Sequence, residues 1–157
     1  MKIIAHKTNG GFLITKIKQI QSRIFEKLLN EHGIREFNGA QGRILFILWE
    51  NDNISVSKIS ERTGLAKTTL TSMLDRLEAS GHIRRVYDPS DRRTVKIILT
   101  DSAKCLKDKY NAVSSEMNEI FYKGFSDEEI LAFEEKLGKI LENLIEKEDE
   151  NGQKNHI

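Results

Sequence analysis

The chain is poor in the residues that usually announce a covalent framework or a reactive centre. Among its 157 residues there is one cysteine, Cys105, one proline, Pro89, and one tryptophan, Trp49. A single cysteine excludes an internal disulfide framework and fits a reducing compartment. No run of about 18 apolar residues occurs, which excludes a membrane-spanning helix. The opening stretch MKIIAHKTNGG also lacks an apolar core of signal-peptide length, so a cytoplasmic protein without a membrane partner is expected. The sequence has no P-loop, no GxGxxG, no GxSxG and no HExxH, and Cys105 forms no local constellation with the four histidines. That pattern argues against an enzyme, and no cofactor is expected. His6, His32, His82 and His156 are scattered without i, i+4 pairing, so they read as surface or cap residues and no metal site is expected.

What is present is charge, unevenly divided. The net charge is only +1. Yet Met1–Ser57 carries 8 Lys and Arg against 5 Asp and Glu, Lys58–Lys96 carries 9 against 5, and Ile97–Ile157 carries 8 against 14. A basic middle in a near-neutral chain suits a local anionic partner better than general coating of polyanions. Hydrophobic residues make up 38% of the chain, enough for the core of one domain with flanking helices.

Helical periodicity dominates both ends. Leu13, Ile17, Ile20, Ile24 and Leu28 recur at spacings of four and three, and Gly33 stands where a helix-ending glycine belongs. Asn38 with Gln41 three residues later opens a second helix through Ile44, Leu45, Leu48 and Trp49. After Thr100, the series Leu106, Tyr110, Val113, Met117 and Ile120 predicts another helix that starts near Cys105. Ser126 with Glu129 then caps a last one carrying Ile130, Phe133, Leu137, Ile140, Leu141 and Leu144. The apolar seams at the two ends, notably Leu13, Ile17, Leu137, Ile140, Leu141 and Leu144, lie outside the compact middle and call for a partner; a second copy of the chain is the simplest one. Dimerisation helices are therefore expected over 12–33 and 101–147, with residues 148–157 as a disordered, charged tail. Aromatic residues such as Phe46 and Trp49 are expected in the core, and so is Cys105, as a small buried hydrophobe.

The middle, 38–100, reads as helix, glycine turn, helix, hairpin. Ser55 or Ser57 can cap a short helix around Ile59, Gly64 breaks it, and a second helix runs from about Ala66 to Gly81. Its apolar stripe is Leu70, Met73, Leu74 and Leu77, which leaves Lys67, Thr68, Thr69, Thr71, Ser72, Asp75 and Arg76 on the outer face. Val95, Ile97 and Leu99 alternate with Thr94, Lys96 and Ile98 and can pair with Ile83–Tyr87 across a loop that contains Pro89. The fold class expected is thus mainly α with a small β-hairpin wing: a winged helix-turn-helix flanked by dimerisation helices from both termini.

A second helix of this kind fits the major groove of DNA, about 12 Å wide, and presents its first turn to base edges. Thr68, Thr71 and Ser72 can donate or accept, Ala66 and the threonine methyls can touch thymine methyls, and Lys67 and Arg76 suit guanine edges or phosphates. Thr69 lies in the same turn. The wing loop sets Asp88 and Asp91 among Arg92 and Arg93. An arginine at such a tip can enter the narrow minor groove, and Asp91 is expected to hold the Arg93 guanidinium through a charge-assisted hydrogen bond. A winged helix that binds protein instead of DNA is the alternative, but it calls for an apolar outer face.

The run KTTLTSMLDRLEASGHIRRVYDPSDRRTVKIILT closely resembles the MarR family, multiple antibiotic resistance regulators. The resemblance extends from about Phe12 to Lys147 and includes the Phe37-Asn38-x-x-Gln41 entry to the second helix. It implies homodimeric winged-helix transcription factors on double-stranded palindromic operators, more often repressors, released by small, often phenolic or other aromatic ligands or by oxidation. By motif, Asp91 and Arg93 occupy the family's wing Asp-x-Arg and Arg76 its recognition-helix arginine. The resemblance also implies an effector crevice near the first, second and fifth helices. Peroxide-sensing members resemble one another in a cysteine near the start of the first helix, which this chain lacks; redox sensing through Cys105 is the remaining variant. The several His and carboxylate ligands of zinc-sensing members are not matched either.

Overall fold

The computed structural model describes residues 7–154, with side chains described as far as Gly152, so His6 and His156 lie outside the described residues. The chain divides into two compact units, one ending at Met117 and the other starting at Asn118.

The first unit contains α1 (Gly10–Glu31), α2 (Gly39–Glu50), β1 (Ile54–Ser55), α3 (Val56–Thr63), α4 (Lys67–Ala79), β2 (Ile83–Tyr87), β3 (Val95–Leu99), α5 (Asp101–Lys104) and most of α6 (Lys107–Phe121). The anticipated mainly helical fold with a small antiparallel wing is what forms. Helix α1 ends where the spacing places its end, and Gly33 follows with φ +75°. Asn38 and Gln41 close a full capping box at the start of α2: the Asn38 side chain accepts from the Gln41 amide at 2.9 Å, and the Gln41 side chain accepts from the Asn38 amide at 3.0 Å. Two of the amides orphaned at a helix start are thereby satisfied.

The core lies between α2 and the winged segment, with Leu29, Ile34, Ile44, Leu45, Leu48, Ile59, Leu70, Leu74, Leu77, Ile83 and Ile97 all but inaccessible. Met73, expected in the same stripe, is only half-buried, so three leucines rather than four residues seat α4. Around Tyr110 the rings of Phe25, Phe37, Phe46 and Trp49 have centroids 5.8, 6.0, 6.2 and 5.2 Å away, and burial pushes the Tyr110 phenol up. Trp49 donates its indole N–H to the Ala103 carbonyl at 3.0 Å. Phe46 departs from expectation: 39% of it is exposed at the edge of this cluster.

The sheet has three strands in the order β1-β3-β2, all antiparallel, with Ile54 opposite Ile97 and Ile83 opposite Leu99. β1 was not foreseen, because two residues carry no periodicity. The helix expected to start near Cys105 begins at Lys107 as α6, and a separate four-residue helix, α5, capped by Thr100, precedes it. Cys105 ends α5 and is exposed rather than buried. His82 shows the reverse difference: it is buried, its Nδ1 lies 2.7 Å from the Ser80 hydroxyl and its ring meets Phe37 edge-on.

In the second unit, Ser126 and Glu129 form the expected reciprocal cap of α7 (Asp127–Lys154), with bonds of 3.1 and 3.2 Å. The side chains of Tyr122, Phe125 and Phe133 cluster there, and the Tyr122 hydroxyl donates to Glu134 at 2.7 Å. The expected disordered tail is corrected over 148–154, which continues α7; residues 155–157 lie outside the described residues. The reason is local: Glu, Lys and Asp are tolerated in helices, Lys147 pairs with Glu150 at 3.3 Å, and the lone Gly152 costs only about 1 kcal/mol. Among the described residues no helix is long and apolar enough to cross a membrane.

Gly42 shows how tightly α2 meets the aromatic cluster. A Cβ there would lie 2.6 Å from Tyr110 Cε2 and 3.1 Å from Phe37 Cε2. In an open helix Gly→Ala gains up to about 1 kcal/mol, but overpacking a core costs about 1–3 kcal/mol. Gly42→Ala is therefore expected to destabilise by about 1–2 kcal/mol, measured by urea unfolding with Trp49 fluorescence. A higher urea midpoint would contradict the close approach.

Candidate nucleic-acid interface

The turn that separates α3 from α4 is built by hydroxyls and one glycine. Ser55 caps α3 by accepting from the Lys58 amide at 3.1 Å, so of the two candidate serines it is the first that acts. Gly64 ends α3 with φ +72°, a left-handed conformation in which a Cβ would be strained. Ser60 then donates to the Leu65 carbonyl at 2.8 Å, and Thr63 accepts from the Leu65 amide at 3.2 Å. These bonds fix where α4 begins.

Helix α4 buries Leu70, Leu74 and Leu77 and exposes Ala66, Lys67, Thr68, Thr69, Thr71, Ser72 and Arg76. The structure thus brings the expected recognition residues onto one solvent face. Ala66 is the N-cap and supplies no side-chain acceptor. Thr71 donates its hydroxyl to the Lys67 carbonyl at 2.7 Å, so toward an external group it serves as an acceptor. No ion pair engages Lys67, Arg76, Arg92 or Arg93 among the described residues.

The wing loop is stitched from within by its two aspartates. Asp88 accepts from the Ser90 hydroxyl at 2.7 Å and from the Ser90 amide at 2.9 Å, contacts that hold its carboxyl below the usual range. Asp91 accepts from the Arg93 amide at 3.0 Å and from the Thr94 hydroxyl at 3.2 Å. The expected bond from Asp91 to the Arg93 guanidinium is therefore replaced by bonds to backbone and threonine. A short side chain reaches the amide two residues on more readily than a long, mobile head group. Asp91 shapes the loop, while the Arg93 side chain stays exposed.

Sequence reasoning missed Arg85. From β2 it reaches back to α4, donating to Asp75 Oδ1 at 2.7 Å and Glu78 Oε1 at 2.9 Å, while its own amide donates to Glu78 Oε2 at 2.9 Å. Burial opposes the charge on Arg85, but the bonds to Glu78 and Asp75 outweigh it and hold the guanidinium above its ordinary value. Glu78 is held below its own, first by the Arg85 amide and then by the guanidinium. Asp75 and Glu78, one turn apart in the Asp-Arg-Leu-Glu run, were the available signal. Only the register of β2 reveals what they face.

A sequence model described as the MarR family matches residues 37–95, and the uncharacterized HTH-type transcriptional regulator YcgE of Bacillus subtilis is 33% identical over 105 residues, 64% of this chain and 68% of that one. The chain belongs to the MarR family. This MarR-family chain is a helix-turn-helix transcriptional regulator, and its relatives are regulators rather than enzymes. It is 43% identical over 91 residues to TtmR of Methylorubrum extorquens, a match of 58% of this chain that spans only 45% of that protein. Reduced AbfR of Staphylococcus epidermidis, solved bound to DNA, superposes with a TM-score of 0.73 at 29% identity, covering 92% of this chain and 98% of that one. A MarR regulator from Methanosarcina mazei Go1 shares the fold with a TM-score of 0.74 at 24% identity, covering 87% and 96%.

Because Asp75 and Glu78 stay partly in water, the Arg85 contacts are discounted to about 1 kcal/mol of stability. Arg85→Met should lose that amount at neutral pH. Glu78 lies below its ordinary 4.5, so its contribution is complete above that pH and fades as acid carries the folded protein through the lowered pKa. Denaturant titrations of both proteins should show a constant gap from neutrality down to that value and a shrinking gap below it. A gap that is unchanged in strong acid would contradict the pairing.

Proposed function

We propose that this regulator binds a palindromic operator in double-stranded DNA as a homodimer and acts as a repressor that a small phenolic or other aromatic effector releases. The observation that carries the DNA reading is the joint exposure of Lys67, Thr68, Thr71, Ser72 and Arg76 on α4 beside a wing whose Arg92 and Arg93 are not engaged by internal carboxylates. The α4 face enters the major groove, with Ala66 and Thr69 at its start, and Arg93 enters the neighbouring minor groove from a loop shaped by Asp91. An apolar outer face, which a protein-docking winged helix needs, is absent from α4 among the described residues.

Dimer formation is supported by large apolar side chains left in water. Leu13 and Ile17 on α1 and Ile140, Leu141 and Leu144 on α7 are all exposed, with Leu137 half-buried beside them in sequence. A second copy removes them from water and sets two recognition helices one DNA turn apart. The effector reading is supported by the family resemblance and by the exposed edge of Phe46 against Tyr110. Exposure of Cys105 supports a second reading, release by oxidation; unchanged operator affinity after the thiol is oxidised to a verified mass would exclude it.

Selection of genomic fragments with the purified protein should recover an inverted repeat with half-sites about 10 bp apart, protected in a footprint. Arg76→Ala should cost about 1–3 kcal/mol of operator affinity and less on scrambled DNA. Leu141→Glu combined with Leu144→Glu should give a monomer in sedimentation with weakened operator binding. A dimer that persists with full affinity, or fragments without a common sequence, would contradict the proposal.

A further inference from the structure

A cleft of about 490 Å³ opens between α4 and the wing. Ser57, Lys67, Thr71, Arg85, Tyr87 and Arg93 are among its lining residues, and no carboxylate lines it. Arg85 is turned to Asp75 and Glu78, which cancel its charge. Lys67 and Arg93 have no such partner, and the hydroxyls of Ser57 and Tyr87 make no hydrogen bond among the described residues. Tyr87 is 60% exposed although it is a strand residue. Beside the apolar Val56, Leu74 and Val95, the lining thus carries two uncompensated cations and two unengaged hydroxyls around an open space.

Geometry names an occupant. If α4 lies in the major groove and the wing in the adjoining minor groove, the two elements stand on either side of one sugar–phosphate strand. That strand has to cross the space between them. The geometry points to this cleft as the seat of that strand, with the Tyr87 and Ser57 hydroxyls donating to its phosphodiester oxygens between Lys67 and Arg93. The inference rests on the operator-binding reading and adds two contacts that neither the helix face nor the wing tip contains. Contacts of this kind set position and affinity but carry no base information. Tyr87 and Ser57 therefore strengthen binding to any duplex, in contrast to Arg76.

The test uses the full-length protein carrying Tyr87→Phe or Ser57→Ala, changes that remove one exposed hydroxyl each and leave the core intact. Affinities are measured on the selected operator, on a scrambled duplex, and on operators with a neutral methylphosphonate at each phosphate between the half-site and its flanking minor groove. Tyr87→Phe is expected to weaken binding about three- to tenfold on operator and scrambled duplex alike. At the methylphosphonate position facing the cleft, that loss should disappear. Ser57→Ala should behave in the same direction, and both variants should keep the wild-type thermal midpoint. Unchanged affinity of both variants on a protected operator would overturn the phosphate seat alone. So would a loss confined to the operator sequence, or one that persists at every methylphosphonate position, as a free anion lodged in the cleft would produce. Failure of the wild type to protect any sequence would overturn the operator reading and this inference together.

Discussion

The bond from Arg85 to Asp75 and Glu78 is the constraint on which the proposed DNA-reading surface depends. Beneath it, Leu74, Leu77, Ile83 and Ile97 exclude water between α4 and the sheet. That burial is strong but non-directional, so it holds the helix down without fixing its angle. Three charge-assisted hydrogen bonds from one strand residue, two from the guanidinium and one from the amide, supply the direction. Because the wing is the continuation of the same strand, the clamp ties the position of Arg93 to that of Lys67 and Arg76.

The clamp also settles an electrostatic conflict. Asp75 and Glu78 sit on a helix whose other exposed residues suit an anion, and uncompensated they would repel phosphate. Arg85 answers them from within the protein. The cations at the start of α4 and at the wing tip remain without internal partners, while the acidic excess of the chain lies beyond Ile97. Ala66 continues the same logic: it leaves the first amides of α4 without a side-chain cap, at a cost to helix stability of about 1 kcal/mol relative to serine or aspartate. Stability given up at the start of α4 leaves backbone donors available to the phosphate proposed to bind there.

Elements whose cause is local were legible in the sequence. Asn38 with Gln41, Ser126 with Glu129, Gly64 between two short helices, and the Val95, Ile97, Leu99 alternation each carry their structural reason within a few residues, and each forms as expected. Features decided by distant neighbours were not legible. Two-residue β1 exists only because β3 pairs with it, His82 is buried because Phe37 and the end of α4 close over it, and Arg85 acquires its partners from the register of the hairpin. Cys105 and Phe46 erred in the opposite direction, since an apolar or sulfur side chain does not declare how much of its surroundings the fold completes. In the candidate interface, the exposed face of α4 could be read from helical spacing alone. The loop chemistry of Asp91 could not, because a guanidinium and a backbone amide lie equally near it in sequence.

The rigidity of the helix and wing as one unit can be measured directly. Ser72 on α4 and Arg92 in the wing loop are both exposed. Spin labels on Ser72→Cys and Arg92→Cys, in a chain whose Cys105 is replaced by serine, report the distance between α4 and the wing loop in the free protein. A clamp at Arg85 requires one narrow distance distribution that broadens when Arg85→Met is added, with the core still folded. Equal widths with and without Arg85 would contradict it.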